Sequence, residues 1–299
     1  MPVPTKPSFS LVLPTYNAAS ILPQTFPQIA DFLLQKHQAG SEAWEVLFVC
    51  DGCSDGCDRQ LEALAADFNA QAALWPATAY SPPVVRVIKY ARNRGKGYAV
   101  RLGLLRATGD YRIFADVDLA YRLDQIEALA RHLAAGRDVV VASRAHRESE
   151  VVQSVAMAGY LRRRKLQSFV FSTIARVLLG IRQRDPQAGL KGLSARAATT
   201  VLKHVKCAGF GFDCDLLRAC RYLGIPIHEV PIRVVYDAVQ STTTVGSSFK
   251  MIRELWRIRR RWNKIRRTGL EDNTLVPLPW TEVAETAPQA VAPAPEGSR

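Results

Sequence analysis

The sequence predicts an α/β protein, a Rossmann-like, mostly parallel sheet flanked by helices with a basic amphipathic helix near the C-terminus. Three observations carry that prediction. Short apolar runs alternate four times with longer segments of helical period, the order that βαβ units impose. Each apolar run ends in a polar or glycine-bearing cluster. The last periodic segment, "SSFKMIRELWRIRRRWNKIRR", sets Trp256 and Trp262 among many arginines on an amphipathic repeat.

The strand candidates are Ser8–Pro14, Trp44–Cys50, Val84–Tyr90, Tyr111–Val117 and Asp138–Arg144. The first helical segment contains Pro23 and Pro27, which predict a regular start delayed to about Gln28. The helical segments "RQLEALAADFNAQAAL", "KGYAVRLGLLRAT" and "LDQIEALARHLAA" follow the next three strands. In the second half, Val170, Ile174, Val177 and Ile181 recur at helical spacing behind the basic cluster Arg162–Lys165. "IHEVPIRVVY" then reads as a strand. The organisation expected is one body over 1–270, with a ligand-binding half at 8–145 and a second half at 146–270 that carries the basic helices. Residues 271–299, rich in Pro and Ala, acidic and without periodicity, are expected to be a disordered tail.

Against 27 Asp and Glu stand 40 Lys and Arg, a net charge of +13. That excess favours anionic partners: nucleic acid, phosphorylated small molecules or an anionic membrane surface. No apolar run reaches the ~18 residues that span a bilayer. The N-terminal "MPVPTKPSFS" lacks the pattern of an export signal, so the six cysteines are expected to be reduced thiols in the cytoplasm.

In open parallel sheets ligands bind beyond the carboxyl ends of the strands. There the sequence places "PTYN", "DGCSDG", "ARNRGKG", "DVD" and "SR", one cluster after each strand. Asp116 and Asp118, two apart where a strand ends, can converge on one hard cation such as Mg²⁺ or Mn²⁺. Lys96, at the start of a helix after a glycine loop, suits an anion. Cys50, Cys53 and Cys57 have C-x2-C-x3-C spacing but no fourth sulfur or histidine nearby, so they read as part of a turn rather than a zinc site.

"LPTYN", "VCDGCSDG", "RNRGKGYAVRLG", "FADVDL", "VVVASR", "RDPQAGLKGLS" and "GFGFDCDLL" occur in the order found in family-2 glycosyltransferases of the GT-A fold. The chain resembles in particular the subgroup of dolichyl- and polyprenyl-phosphate β-glucosyltransferases, over about Ser8 to Arg267. The resemblance implies that Pro14 and Tyr16 line the nucleotide site and that Asp51 accepts from the base. It implies that Asp116 faces the ribose and metal while Asp118 ligates the metal. Arg144, Gln187 and Lys191 would lie near phosphate groups, with Arg163 of the basic cluster on the acceptor side. Three motifs depart from the family pattern: Ala18 replaces a carboxylate, Cys50 and Cys53 replace Asp and Ser, and Asp215 is one methylene shorter than the usual Glu.

The activity implied is inverting transfer of a hexose from a nucleotide-sugar, UDP-glucose before GDP-mannose, to a polyprenyl phosphate at the cytoplasmic face of a membrane. A hydroxyl acceptor would require a base, for which Asp213 or Asp215 is the candidate. The basic helices would then hold the protein peripherally on an anionic bilayer, with packing into a homo-oligomer as the other use of those faces. Nucleic acid is not an expected partner, because the carboxylate-bearing edge repels phosphates unless a metal is bound. A nucleotidyltransferase and a non-catalytic nucleotide-binding module are the remaining rivals.

Overall fold

The first four strands of the computed structural model are β1 (Ser8–Thr15), β2 (Ala43–Asp51), β3 (Val84–Tyr90) and β4 (Tyr111–Phe114). They pair in parallel in the order β3-β2-β1-β4, as the βαβ pattern requires. The connecting helices are α1 (Leu22–Ala39), α2 (Cys57–Ala72) and α3 (Lys96–Arg106). After β4 come α4 (Leu123–Ala134), β5 (Val139–Ser143), β6 (Glu150–Gln153) and α5 (Ala158–Leu179). The chain continues with β7 (Lys191–Ser194), α6 (Ala195–Leu202), α7 (Phe212–Tyr222), β8 (Ile227–Pro231) and β9 (Arg233–Tyr236). It closes with α8 (Val245–Thr268) and β10 (Val283–Thr286). The structure describes residues 7–76, 78, 81–153, 158–236, 245–269 and 283–286.

The eight-stranded sheet runs β10-β3-β2-β1-β4-β7-β5-β8, and β6 pairs with β9 separately. β7 enters between β4 and β5 antiparallel to both, with Phe114 opposite Lys191. Because β7 runs backwards, its beginning lies where β4 and β5 end. The segment 185–190 is thereby delivered to the same edge as the strand-end loops. This four-residue strand has no pattern of its own to announce it.

Both faces of the sheet are covered, so its strands are buried runs such as "VVVAS" in β5. One apolar layer sets Phe9, Phe48 and Ile113 against Leu33, Leu61 and Leu129 of α1, α2 and α4. The other sets Val12, Leu47 and Phe114 against α3, α6 and α7 and extends to Leu255, Ile258 and Trp262 of α8.

Two expectations are corrected. Helix α1 begins at Leu22, not near Gln28. Pro23 occupies the first turn, where an N–H has no helical partner, and Pro27 is carried inside the helix. On α5, Phe171, Ala175 and Leu179 face the core, while Val170 and Val177 are exposed with Phe169. The expected helical spacing holds, and the helix carries apolar residues on both sides, with Ile174 packed against the core. The tail is not disordered over Val283–Thr286, which adds to the sheet antiparallel to β3. Its remaining residues lie outside those described.

Charge anchors β10. The Glu285 carboxylate accepts from Arg86 Nε (2.9 Å) and from Arg106 Nη1 (2.9 Å), while Arg86 also reaches Glu45 (2.7 Å). The added strand covers the open edge of β3, whose unpaired backbone groups would otherwise invite another chain. Glu285→Ala is expected to lower the unfolding free energy by about 1–3 kcal/mol, the worth of hydrogen bonds to charged groups. It should also speed amide exchange along β3. Denaturant melts and hydrogen exchange measure both effects, and unchanged β3 protection would show that the tail strand is dispensable.

Candidate active site

The register that sets Thr15 beside Cys50 and Asp51 beside Tyr90 brings the loops after β1, β2 and β3 together. Asp51 is buried there, and its two carboxylate oxygens accept the backbone N–H groups of Arg94 (2.6 Å) and Gly95 (2.9 Å). The loops approach so closely that Gly52, at φ +63°, has no space for a side chain: a Cβ would stand 2.2 Å from the Asn93 nitrogen. Asn17 joins from the β1 side, its Oδ1 accepting the Ser54 N–H (2.8 Å). Pro14 is half-buried at the end of β1, and Tyr16, 53% exposed, offers an open ring at the rim.

A sequence of alternating charges runs beneath this rim. Past β4, Asp118 is exposed at the edge, with Oδ1 accepting the Ala120 N–H (3.0 Å). Loss of solvation within the site, with the charge of Asp116 beside it, pushes the Asp118 carboxyl above the usual range. Asp116 pairs with Lys96 Nζ (2.6 Å). Burial alone would lower the Lys96 pKa, but the charges of Asp116 and Asp213 outweigh it and hold the ammonium protonated. Asp213, at the start of α7, pairs in turn with Lys191 Nζ (2.7 Å), and Lys191 is fully buried. Carboxylate and ammonium thus alternate from Asp116 into the interior.

Asp116 and Asp118 suit a divalent cation. They are hard oxygen donors whose mutual repulsion is only partly relieved by Lys96, and Asp118 opens to solvent. Gly189 keeps Asp116 in place, since a Cβ at 189 would stand 2.2 Å from Asp116 Oδ2. Its backbone N–H donates to the Tyr121 hydroxyl (3.0 Å), itself buried beside these groups.

Several residues singled out in the sequence have partners that alter their expected roles. Asp51 commits both oxygens to the Arg94–Gly95 loop, so its first task is to shape the site. Arg144 grips Asp185 through Nε (2.7 Å) and Nη2 (2.9 Å). Burial would raise the Asp185 pKa, but the hydrogen bonds and charge of Arg144 outweigh it and hold the carboxyl below its usual range. Lys191 points inward rather than at the edge. Gln187 is half-buried in the 185–190 segment. Arg163 lies on α5, and its side chain, like those of the rest of Arg162–Lys165, falls outside the described residues.

Asp215 does not reach the site. It is fully buried, with Oδ2 accepting from the N–H groups of Lys206 (2.9 Å) and Cys207 (3.0 Å). Its Oδ1 accepts from Trp262 Nε1 (2.7 Å) and pairs with Arg261. The role of base is therefore corrected for Asp215: it fastens α7 to α8. The same contact withdraws Trp262 from the surface, leaving Trp256 exposed. Residues that sequence reasoning passed over are Asp185, Tyr121 and Gly189. Asp185 stood within the quoted "RDPQAGLKGLS", whereas nothing local marks Tyr121.

A GT-A site of this kind defines a class. The chain belongs to glycosyl transferase family 2, whose family model matches residues 10–196. It is 32% identical over 237 residues to the dolichyl-phosphate beta-glucosyltransferase of Mus musculus, covering 77% of this chain and 67% of that one. Identity to the Drosophila melanogaster protein of the same name is 30% over 257 residues, covering 83% and 73%. Among solved structures, mannosyl-3-phosphoglycerate synthase from Rubrobacter xylanophilus has a TM-score of 0.56 at 16% identity, covering 92% of this chain and 79% of that one. Glucosyl-3-phosphoglycerate synthase of Mycobacterium tuberculosis, crystallised with Mn²⁺, UDP-glucose and phosphoglyceric acid, has a TM-score of 0.51 at 18% identity, covering 85% and 80%. The fold is GT-A, and the protein is a glycosyltransferase.

Gly189→Ala is expected to displace Asp116 and weaken Mn²⁺ binding by at least about tenfold, the scale on which groups supporting a metal site act. Calorimetric titration with Mn²⁺ reads the change. Unaltered affinity would mean that Asp116 is not a ligand.

Proposed function

We propose that the protein transfers a glucosyl group from UDP-glucose, with GDP-mannose the second donor, to a polyprenyl phosphate. The reaction is a single displacement in which an acceptor phosphate oxygen bonds to the anomeric carbon as its bond to the diphosphate breaks, inverting that carbon. The observation that carries this reading is that both carboxylates considered as a base are engaged: Asp213 by Lys191 and Asp215 by α8. An acceptor that arrives already anionic needs no proton removed. The names of the mouse and fly relatives support the same acceptor class.

In this reading Tyr16 stacks against the base, with Pro14 beside it and Asp51 holding the loop that faces the nucleotide. Asp116 and Asp118 hold Mg²⁺ or Mn²⁺, and such an ion supplies charge neutralisation for the departing diphosphate. Lys96, kept charged by its two carboxylates, adds a fixed positive group at the same place. Arg144 and Gln187 line the phosphate side, with Arg163 toward the acceptor.

The acceptor is a lipid, and the basic outer surface supports attachment to an anionic membrane at its cytoplasmic face. Helices α5 and α8 pack together, and their outward residues include Phe169, Val170 and Val177 on one and Trp256, Arg253, Arg257 and Arg260 on the other. Each such cation contributes about 1 kcal/mol near an anionic surface, and Trp favours the interface. Among the described residues no helix is long and apolar enough to cross a membrane.

Transfer should require Mn²⁺ or Mg²⁺, proceed to polyprenyl phosphate and fail with the neutral polyprenol. Asp118→Asn should lower kcat by about a hundredfold or more, the scale of a lost electrostatic contact to the leaving group. Full activity in that variant would sink the metal-centred account. Arg253→Glu combined with Arg257→Glu and Arg260→Glu should abolish sedimentation with phosphatidylserine vesicles at low salt. Undiminished sedimentation would place the membrane contact elsewhere.

A further inference from the structure

The turn between β2 and α2 gathers three thiols for which sugar transfer has no use. Cys50 lies at the end of β2, Cys53 in the turn and Cys57 at the start of α2. Cys53 Sγ, Cys57 Sγ and a carboxylate oxygen of Asp55 lie within 4.8 Å of one another. All six cysteines of the chain are free thiols, so Cys53 and Cys57 remain available as ligands. The donor that cysteine spacing failed to reveal is Asp55.

We propose that Cys53, Asp55 and Cys57 form a site for a borderline-soft divalent cation, Zn²⁺ above all, separate from the hard-cation pair at Asp116 and Asp118, with water in the fourth tetrahedral position. Two sulfurs beside one carboxylate oxygen favour zinc over magnesium or manganese. A tetrahedral ion with bonds of about 2.3 Å holds its ligands roughly 3.8 Å apart, so these three donors have to contract by about an ångström at most. Binding exchanges two S–H bonds for metal–sulfur bonds and releases two protons to solvent, while Asp55 enters as carboxylate.

The site sits under the rim of the donor pocket. Asp55 Oδ2 also accepts the Ala19 N–H (2.8 Å) and its Oδ1 the Cys57 N–H (3.1 Å). Cys53 Sγ contacts the Thr15 carbonyl (3.5 Å). The neighbouring Asp51 holds the Arg94–Gly95 loop. An ion here would therefore fasten the segments after β1, β2 and β3 to one another. Its role is structural: it fixes the turn.

The test uses the full chain, reduced and stripped with a chelator, then titrated with Zn²⁺ or Co²⁺. One equivalent of Co²⁺ should give thiolate-to-cobalt charge-transfer absorption with the visible bands of tetrahedral cobalt, and Zn²⁺ should displace it and raise the melting temperature. Cys53→Ser and Cys57→Ser should each lose the charge-transfer band and weaken Zn²⁺ binding by at least about tenfold. Cys207→Ser and Asp118→Asn should keep both. Asp55→Asn, at an exposed position, tests the oxygen ligand without risk to the core. Absence of a cobalt–thiolate signal in the reduced protein overturns the proposal, whether or not oxidation joins two of these cysteines. Zinc binding lost in Asp118→Asn and retained in the cysteine variants overturns it equally.

Discussion

The structure depends on one buried ammonium. Lys191 is fully enclosed, a position that costs several kcal/mol for an unpaired charge. Asp213 meets it, and Asp213 must then be balanced in turn; Lys96 and then the carboxylates Asp116 and Asp118 continue the series outward. Each member comes from a different place: the start of β7, the start of α7, the start of α3 and the end of β4. Only a sheet in which β7 runs against its neighbours sets these four points side by side. The topology and the charge pattern are thus a single constraint, and a shift of any one element would leave a charge buried without a partner.

That constraint shapes the chemistry. The interior carboxylate of Asp213 is engaged by the Lys191 ammonium rather than turned to the acceptor. The site can stabilise negative charge at the exposed end, where Asp118 faces solvent and Lys96 stays protonated. Such an arrangement suits reactants that arrive anionic and leave anionic. The hydrogen bonds at the nucleotide side have a different purpose: Asp51, Asn17 and Gly52 lock three loops against each other, so the donor meets a formed surface instead of having to organise one.

The sequence made the strand-end edge legible because parallel βαβ units deliver every strand end to one side. Asp116, Asp118, Lys96 and Tyr16 could be placed on that edge from local pattern alone. What it hid were partnerships across long separations. Nothing near Lys191 shows that it turns inward, since its partner lies 22 residues on, in a different element. Arg144 and Asp185 are 41 residues apart, and Asp215 finds Trp262 across 47. Short strands were hidden for a related reason: β7 and β10 have four residues each, too few for a period to register.

The first turn of α7 joins the two halves of the molecule. Asp213 and Asp215 are two residues apart, and on an α-helix that spacing sends side chains toward nearly opposite sides. Asp213 accordingly reaches Lys191 in the charge sequence, while Asp215 reaches Trp262 and Arg261 of α8. The basic, Trp-bearing helix that would rest on a membrane is therefore fastened to the same helical turn that supports the site. A displacement of α8 could not leave Asp215 satisfied without moving α7, and α7 could not move without disturbing the pairing of Lys191. The one-methylene difference between Asp and Glu at 215 matters in this light: the shorter side chain fits a closed set of four donors. The surface proposed to receive a lipid acceptor and the interior proposed to stabilise transfer are thereby mechanically continuous.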